Sequence, residues 1–185
     1  MTVSSGLVTR IRESAVRRGG FVLASGEVLD EYFDQYALAA APDLLAEVAE
    51  AMAGLIPADV DVVAGVALGG VPLAVAVSAV TGIPAAFVRP EPKPYGLRRQ
   101  VEGDIASGSR VVVVDDVVRT GGQVYDAIRA LHGVGARVPR AVCVLDRRLG
   151  GSELLRENGI ELRGLLDPDM LEYLPQLEGV SDAVG

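Results

Sequence analysis

The stretch Val111-Val112-Val113-Val114-Asp115-Asp116-Val117-Val118-Arg119-Thr120-Gly121-Gly122 passes from apolar β-branched residues to two acids and then to a glycine turn. A continuous apolar run with no polar alternation is what a strand buried on both faces requires, as in a parallel sheet. Ligands of open α/β sheets bind beyond the carboxyl ends of such strands, so Asp115 and Asp116 are both expected to point into a site. After them, Arg119-Thr120-Gly121-Gly122 leads into a helix predicted over about 122–132. Its first N–H groups and the positive end of its dipole can hold a phosphate dianion, and the glycines let the backbone approach closely. Ionised carboxylates only accept hydrogen bonds, so acids beside a phosphate cradle suit a ligand that also carries hydroxyls. A phosphorylated ribose meets both demands.

On either side of this stretch the pattern alternates. Extended runs are predicted at Val60–Ala64, Ala85–Val88, Arg140–Leu145 and Glu161–Leu165, and helices at Pro42–Gly54, Pro72–Thr81 and Glu153–Glu157. Strands separated by helices imply a Rossmann-like α/β fold, a central parallel sheet flanked by helices. At the N-terminus Leu7, Ile11 and Ala15 recur at helical spacing among arginines, and Gly19-Gly20 is the expected helix stop. Phe21-Val22-Leu23 and Tyr32-Phe33-Asp34, joined by Ser25-Gly26-Glu27, read as a hairpin-like flap. Between Arg89 and Gly108, the run Pro90 to Gln100 has three prolines, a glycine and no consistent period and predicts a long loop, positively charged and suited to close over an anion.

Bulk composition narrows the function. The chain has 185 residues, one domain of ordinary size, and half of them are hydrophobic. A formal net charge of -8 argues against a nucleic-acid or anionic-membrane surface, which needs clustered cations, so any phosphate sits in a local site. The single cysteine, Cys143, lies in an apolar run and reads as a core residue. Neither a leader pattern at the N-terminus nor an apolar run near the roughly 20 residues of a membrane helix is present, so a cytoplasmic protein is expected.

Val111 to Gly122 resembles the phosphoribosyl diphosphate signature of type I phosphoribosyltransferases. The resemblance implies that Asp115 and Asp116 bind the ribose 2′ and 3′ hydroxyls, that Val118, Arg119, Thr120, Gly121 and Gly122 bind the 5′-phosphate, and that Val117 also contacts phosphoribosyl diphosphate. Arg119 stands where a threonine is common, and either contacts the phosphate or faces solvent. Gly65-Val66-Ala67-Leu68-Gly69-Gly70-Val71-Pro72 resembles the family's diphosphate loop, with Leu68, Gly69 and Gly70 as its binding positions.

Three further segments are similar to orotate phosphoribosyltransferases and extend the match over nearly the whole chain. Phe21 to Gly26, continuing to Tyr32-Phe33-Asp34, resembles the flap that covers the base, a hood of about residues 1–40 in a single domain spanning 1–185. Arg89-Pro90-Glu91-Pro92-Lys93-Pro94-Tyr95-Gly96 and Val101-Glu102-Gly103 resemble the mobile catalytic loop, about residues 90–103. Asp146-Arg147 with Gly150-Gly151 resembles the orotate-recognising segment, where Arg147 can pair bidentately with a carboxylate. Orotate contacts are thereby implied for Phe21, Ala24, Tyr32, Phe33, Thr120 and Arg147, and diphosphate contacts for Arg89, Lys93 and Tyr95. Pro90 replaces a second loop lysine, Tyr95 a histidine and Leu29 a serine.

The activity so implied is transfer of the 5-phosphoribosyl group from phosphoribosyl diphosphate to N1 of orotate, giving orotidine 5′-monophosphate and diphosphate. Lys93, Arg89, Asp115 and Asp116 are the implied catalytic residues. Mg²⁺ is the implied cofactor, held mainly by substrate oxygens near Asp115 and Asp116 and not by a dedicated protein cage. A homodimer that shares the loop across its interface is the implied partner. Two other readings stay open: a phosphoribosyltransferase for a different base, and a non-catalytic regulator that senses phosphoribosyl diphosphate.

Overall fold

Ser4 starts the first helix, α1 (Ser5–Ala15), by accepting a hydrogen bond from the Leu7 N–H at 3.2 Å, and Leu7, Ile11 and Ala15 form its buried stripe. The structure, a computed structural model, describes residues 3–22, 28–92 and 99–171. Contrary to the sequence reading, α1 ends at Ala15 and not at Gly19-Gly20. The Ala15 carbonyl accepts the Asp34 N–H at 2.7 Å, and Val16 already pairs with Phe33. Strand pairing thus captures Val16, Arg17 and Arg18 before a glycine stop is reached. They begin β1 (Val16–Val22), which runs antiparallel to β2 (Val28–Phe33). Gly19, at φ 149°, lies where the register shifts between Arg18 and Phe21, so it serves a bulge and not a helix end.

Two helices follow, the short α2 (Gln35–Ala39), which the sequence reading lacked, and α3 (Pro42–Ala53). Asp34 caps α2 by accepting the Ala37 N–H, and Pro42 opens α3 where a missing N–H costs nothing. The remaining chain is β3 (Val62–Val66), α4 (Gly70–Thr81), β4 (Ala85–Val88), β5 (Val101–Glu102), β6 (Arg110–Val118), α5 (Gly122–Gly133), β7 (Arg137–Asp146), α6 (Gly151–Glu157), β8 (Glu161–Leu166) and α7 (Pro168–Leu171). The central sheet has the order β5-β4-β3-β6-β7-β8 and is parallel except for the edge strand β5. This strand lies in the stretch read as a loop without structure. Phe87 and Val88 provide an open sheet edge against which Val101 and Glu102 pair.

Side chains alternate along β6 as the pleat demands. Val112 and Val114 join Leu44, Val48, Met52, Leu73 and Val77 on the face covered by α3 and α4. Val111 and Val113 join Val124, Ile128, Leu131 and Cys143 on the face covered by α5. From β3 the chain winds to β4 on one side and returns to β6 on the other, so the strand order reverses between β3 and β6. A crevice opens at such a point because the connections leave the two carboxyl ends in opposite directions. Among the described residues no helix is long and apolar enough to cross a membrane.

Candidate active site

At the reversal the turn after β3 packs closely against the end of β6 through glycines. A Cβ on Gly69 would lie 1.9 Å from an Asp116 carboxylate oxygen, one on Gly70 2.4 Å from the Val114 carbonyl oxygen, and one on Gly65 2.4 Å from the Gly70 carbonyl oxygen. Gly69 has an ordinary helical backbone, φ -64° and ψ -34°, so glycine is needed there for space and not for conformation. The start of α4 therefore presses onto β6, and the Asp116 carboxylate rests on the Gly69 backbone.

β6 is longer than the valine run suggested. It continues through the acids to Val118, whose carbonyl accepts the Arg147 N–H at 2.8 Å. Asp115 and Asp116 consequently point to opposite faces of one strand. Asp116 lines a cavity of about 200 Å³ together with Glu31, Tyr32, Phe33, Gln35, Val117, Arg119, Gln123 and Arg147. Asp115 lines a second cavity of about 230 Å³, formed by Val117 through Val124. The two cavities adjoin, sharing Val117, Arg119 and Gln123, and the two carboxyls interact, so the pair stands between two halves of one crevice.

Asp115 is only 5 % exposed. Burial, and next the charge of Asp116, push its carboxyl well above the usual range. Its carboxylate accepts the Asp116 N–H at 3.0 Å and also meets the Asp116 carboxyl. Cys143, across the strand pair from Asp115, is also pushed up by burial and by the Asp146 and Asp115 charges, which suits an inert core thiol.

The turn after β6 starts at Arg119, since Val118 is a strand residue with a buried side chain. Gly121, at φ 79°, starts α5, and Gly151 stands so close that a Cβ there would meet the Arg119 carbonyl oxygen at 2.9 Å and a Val118 methyl at 2.6 Å. The Gly151 N–H donates to the same Arg119 carbonyl at 3.1 Å. Thus the phosphate turn and the Arg147 segment brace each other. Asp146 completes this brace, accepting the Arg148 N–H and the Ser152 hydroxyl at 2.9 Å each. Arg148 itself turns to Asp167 and Asp169, 2.5 and 2.7 Å away, and holds α7.

The flap covers the first cavity. Phe21 and Tyr32 stack with ring centroids 5.6 Å apart, while Phe33 is 6 % exposed and packs into the core under α1 and α3. Arg147 reaches up to this cavity, its guanidinium 4.0 Å from the Glu31 carboxylate. A third, smaller cavity of about 80 Å³ holds Ala67, Arg89, Pro90, Gln100 and Gln123. Here the Arg89 N–H donates to the Gln100 carbonyl and the Gln100 side chain donates to the Arg89 and Pro90 carbonyls, so the two ends of the long loop are clamped together. Arg89 also lies 3.9 Å from Glu102.

The sequence-derived residues therefore divide. Tyr32, Phe33, Asp116, Val117, Arg119 and Arg147 meet in the flap cavity, and Asp115, Val117, Val118, Arg119, Thr120, Gly121 and Gly122 in the phosphate turn. Thr120 faces the turn and is absent from the flap cavity, Phe21 backs Tyr32 without lining that cavity, and the Leu68 side chain is 65 % exposed. Ala24, Lys93 and Tyr95 lie outside the described residues. Glu31, Gln35 and Gln123 are additions that no local motif marks, since flap, α2 and α5 converge only in three dimensions.

A phosphate turn, an acid pair and a glycine loop around the strand-order reversal, with a flap above, define a type I phosphoribosyltransferase. Residues 34–156 match the phosphoribosyl transferase domain family. An orotate phosphoribosyltransferase of Nocardioides sp. is 43 % identical over 90 % of this chain and 93 % of its own, and one of Halobacterium salinarum is 41 % identical over 90 % and 95 %. The Mycobacterium tuberculosis orotate phosphoribosyltransferase solved in complex with 5-phospho-α-D-ribosyl 1-diphosphate superposes with a TM-score of 0.77 at 29 % identity, over 90 % of this chain and 97 % of that one. The chain belongs to the phosphoribosyltransferase family and, within it, to the orotate phosphoribosyltransferases.

Proposed function

We propose that this chain transfers the 5-phosphoribosyl group of phosphoribosyl diphosphate to N1 of orotate, releasing diphosphate. The observation that carries this reading is the placement of Arg147 under an aromatic flap beside Asp116, with a phosphate turn on the other side of the same strand. Such an arrangement accepts an anionic planar base and a ribose phosphate at once.

In this reading the N–H groups of Arg119 to Gly122 and the start of α5 hold the 5′-phosphate. Asp115 and Asp116 accept from the ribose hydroxyls and face the positive charge that develops at the anomeric carbon. The Ala67–Gly70 loop, with Arg89 and Lys93, receives the departing diphosphate, and loop closure excludes water around it. Tyr32 covers the base, and Arg147 takes the orotate carboxylate through two parallel hydrogen bonds.

The acid pair also fits Mg²⁺. Asp115 and Asp116 are hard oxygen donors, and a cation beside them would offset the burial and the Asp116 charge that raise Asp115. Among the described residues no group of three metal-binding side chains exists, so substrate oxygens and water would complete the shell. When bound, the ion neutralises diphosphate charge.

A homodimer is part of the same proposal. α4 carries no charged residue along Gly70–Thr81 and exposes Val75 and Val80 by 51 % and 45 %, an outer face that a second copy would cover. The test of the reaction is diphosphate release from phosphoribosyl diphosphate and orotate. Release with another base only would redirect the substrate, and binding without release for any base would make the protein a sensor.

A further inference from the structure

Besides Asp116, the flap cavity holds a second acid, Glu31, which is not among the orotate contacts the resemblance implied. Along β2 the side chains alternate, so Glu31 shares the inward face with Phe33, which packs into the core. An inward acid on a flap strand needs a reason, and the structure provides a partner. The Glu31 carboxylate lies 4.0 Å from the Arg147 guanidinium, the two side chains being 32 % and 22 % exposed. The Arg147 main chain is fixed at the end of β7, its N–H bound to the Val118 carbonyl. Glu31 is the more exposed of the two, on the two-stranded flap.

We infer that Glu31 is a specificity-determining residue, a tethered carboxylate that occupies Arg147 in the empty pocket and that an incoming anionic base has to displace. The inference rests on the assignment of Arg147 to the base carboxylate. Orotate binding exchanges one carboxylate for another on the same guanidinium, so part of its attraction to Arg147 is spent on releasing Glu31. A neutral pyrimidine leaves the pair intact and loses nothing. Glu31 therefore lowers orotate affinity and narrows the margin between orotate and its neutral analogue uracil.

The test compares the wild-type chain with Glu31→Gln, which keeps the shape and removes the charge. Partly exposed ion pairs are worth on the order of 1 kcal/mol, which predicts an orotate KM lowered roughly fivefold. The phosphoribosyl diphosphate KM and kcat should stay within about twofold, and the preference for orotate over uracil in kcat/KM should rise by roughly the same fivefold factor. Glu31→Ala, which removes the charge with a different side chain, should shift the orotate KM in the same direction, and thermal melts check that both variants fold. An unchanged or raised orotate KM in both variants overturns the inference. If wild-type protein releases no diphosphate with orotate, the proposed function fails instead, so the two failures are distinguishable.

Discussion

Replacing Asp115 by Asn separates what the site costs the fold from what it does for the ligand. The Asp115 carboxyl is buried beside Asp116 and accepts one described backbone hydrogen bond, so its ionised form is poorly compensated in the folded state. Its folded pKa is raised above the usual carboxylate value of about 4 held in the unfolded chain. Between those two values the folded state keeps the proton and the unfolded state does not, so stability falls as pH rises through that window. Above the folded value the full cost persists, and below about pH 4 it vanishes. The amide introduced by Asp115→Asn never ionises and escapes the cost. An incompletely satisfied buried charge costs about 2 kcal/mol, and for a chain of this size each kcal/mol moves Tm by about 2–4 °C. The variant should therefore melt about 4–8 °C higher than wild type near pH 8 without substrate, with a smaller gain near pH 5. In the same protein kcat/KM for phosphoribosyl diphosphate should fall roughly 10- to 100-fold, the worth of a hydrogen bond to a charged group. Melting curves across pH and a diphosphate-release assay read the two effects. An unchanged or lower Tm near pH 8, or a gain that shrinks with rising pH, refutes the argument.

Further outcomes follow from the contacts around the strand-order reversal and from the proposed site. Gly70→Ala drives a Cβ against the Val114 carbonyl oxygen at 2.4 Å, a backbone atom that cannot swing aside, and should destabilise by about 1–3 kcal/mol in urea unfolding. Gly69→Ala meets only the Asp116 side chain, which can rotate, so it should lose activity while keeping most of its stability. Arg147→Lys exchanges a planar fork for a point charge and should raise the orotate KM roughly 10-fold or more while leaving the phosphoribosyl diphosphate KM near its wild-type value. Lys93→Ala and Asp116→Asn subunits, each inactive alone, should recover activity when mixed under exchange conditions if the loop is shared across a dimer, and no recovery counts against sharing.

Local pattern carried much of the fold, because a buried strand and an amphipathic helix each write their period into contiguous residues. The valine run, the Pro42 helix and the glycine turns at Gly69-Gly70 and Gly121-Gly122 were legible for that reason. The end of α1 was not, since Gly19-Gly20 is a valid stop locally and only pairing of Val16 with Phe33 overrides it. Two-residue β5 was invisible for the same reason, having no period of its own and existing because β4 offers an edge.

For the site, the residue types and their order in the chain were enough to mark an acid pair and a glycine turn at the end of a buried strand. Their division between two cavities required knowing that β6 continues past the valines to Val118, which sends Asp115 and Asp116 to opposite faces. The meeting of Glu31 with Arg147 belongs wholly to the tertiary structure, because the flap and the end of β7 are far apart in sequence and no local interaction relates them. Short-range chemistry is thus determined by the order of residues, whereas which charge faces which is decided by the packing that brings remote segments within a few ångströms.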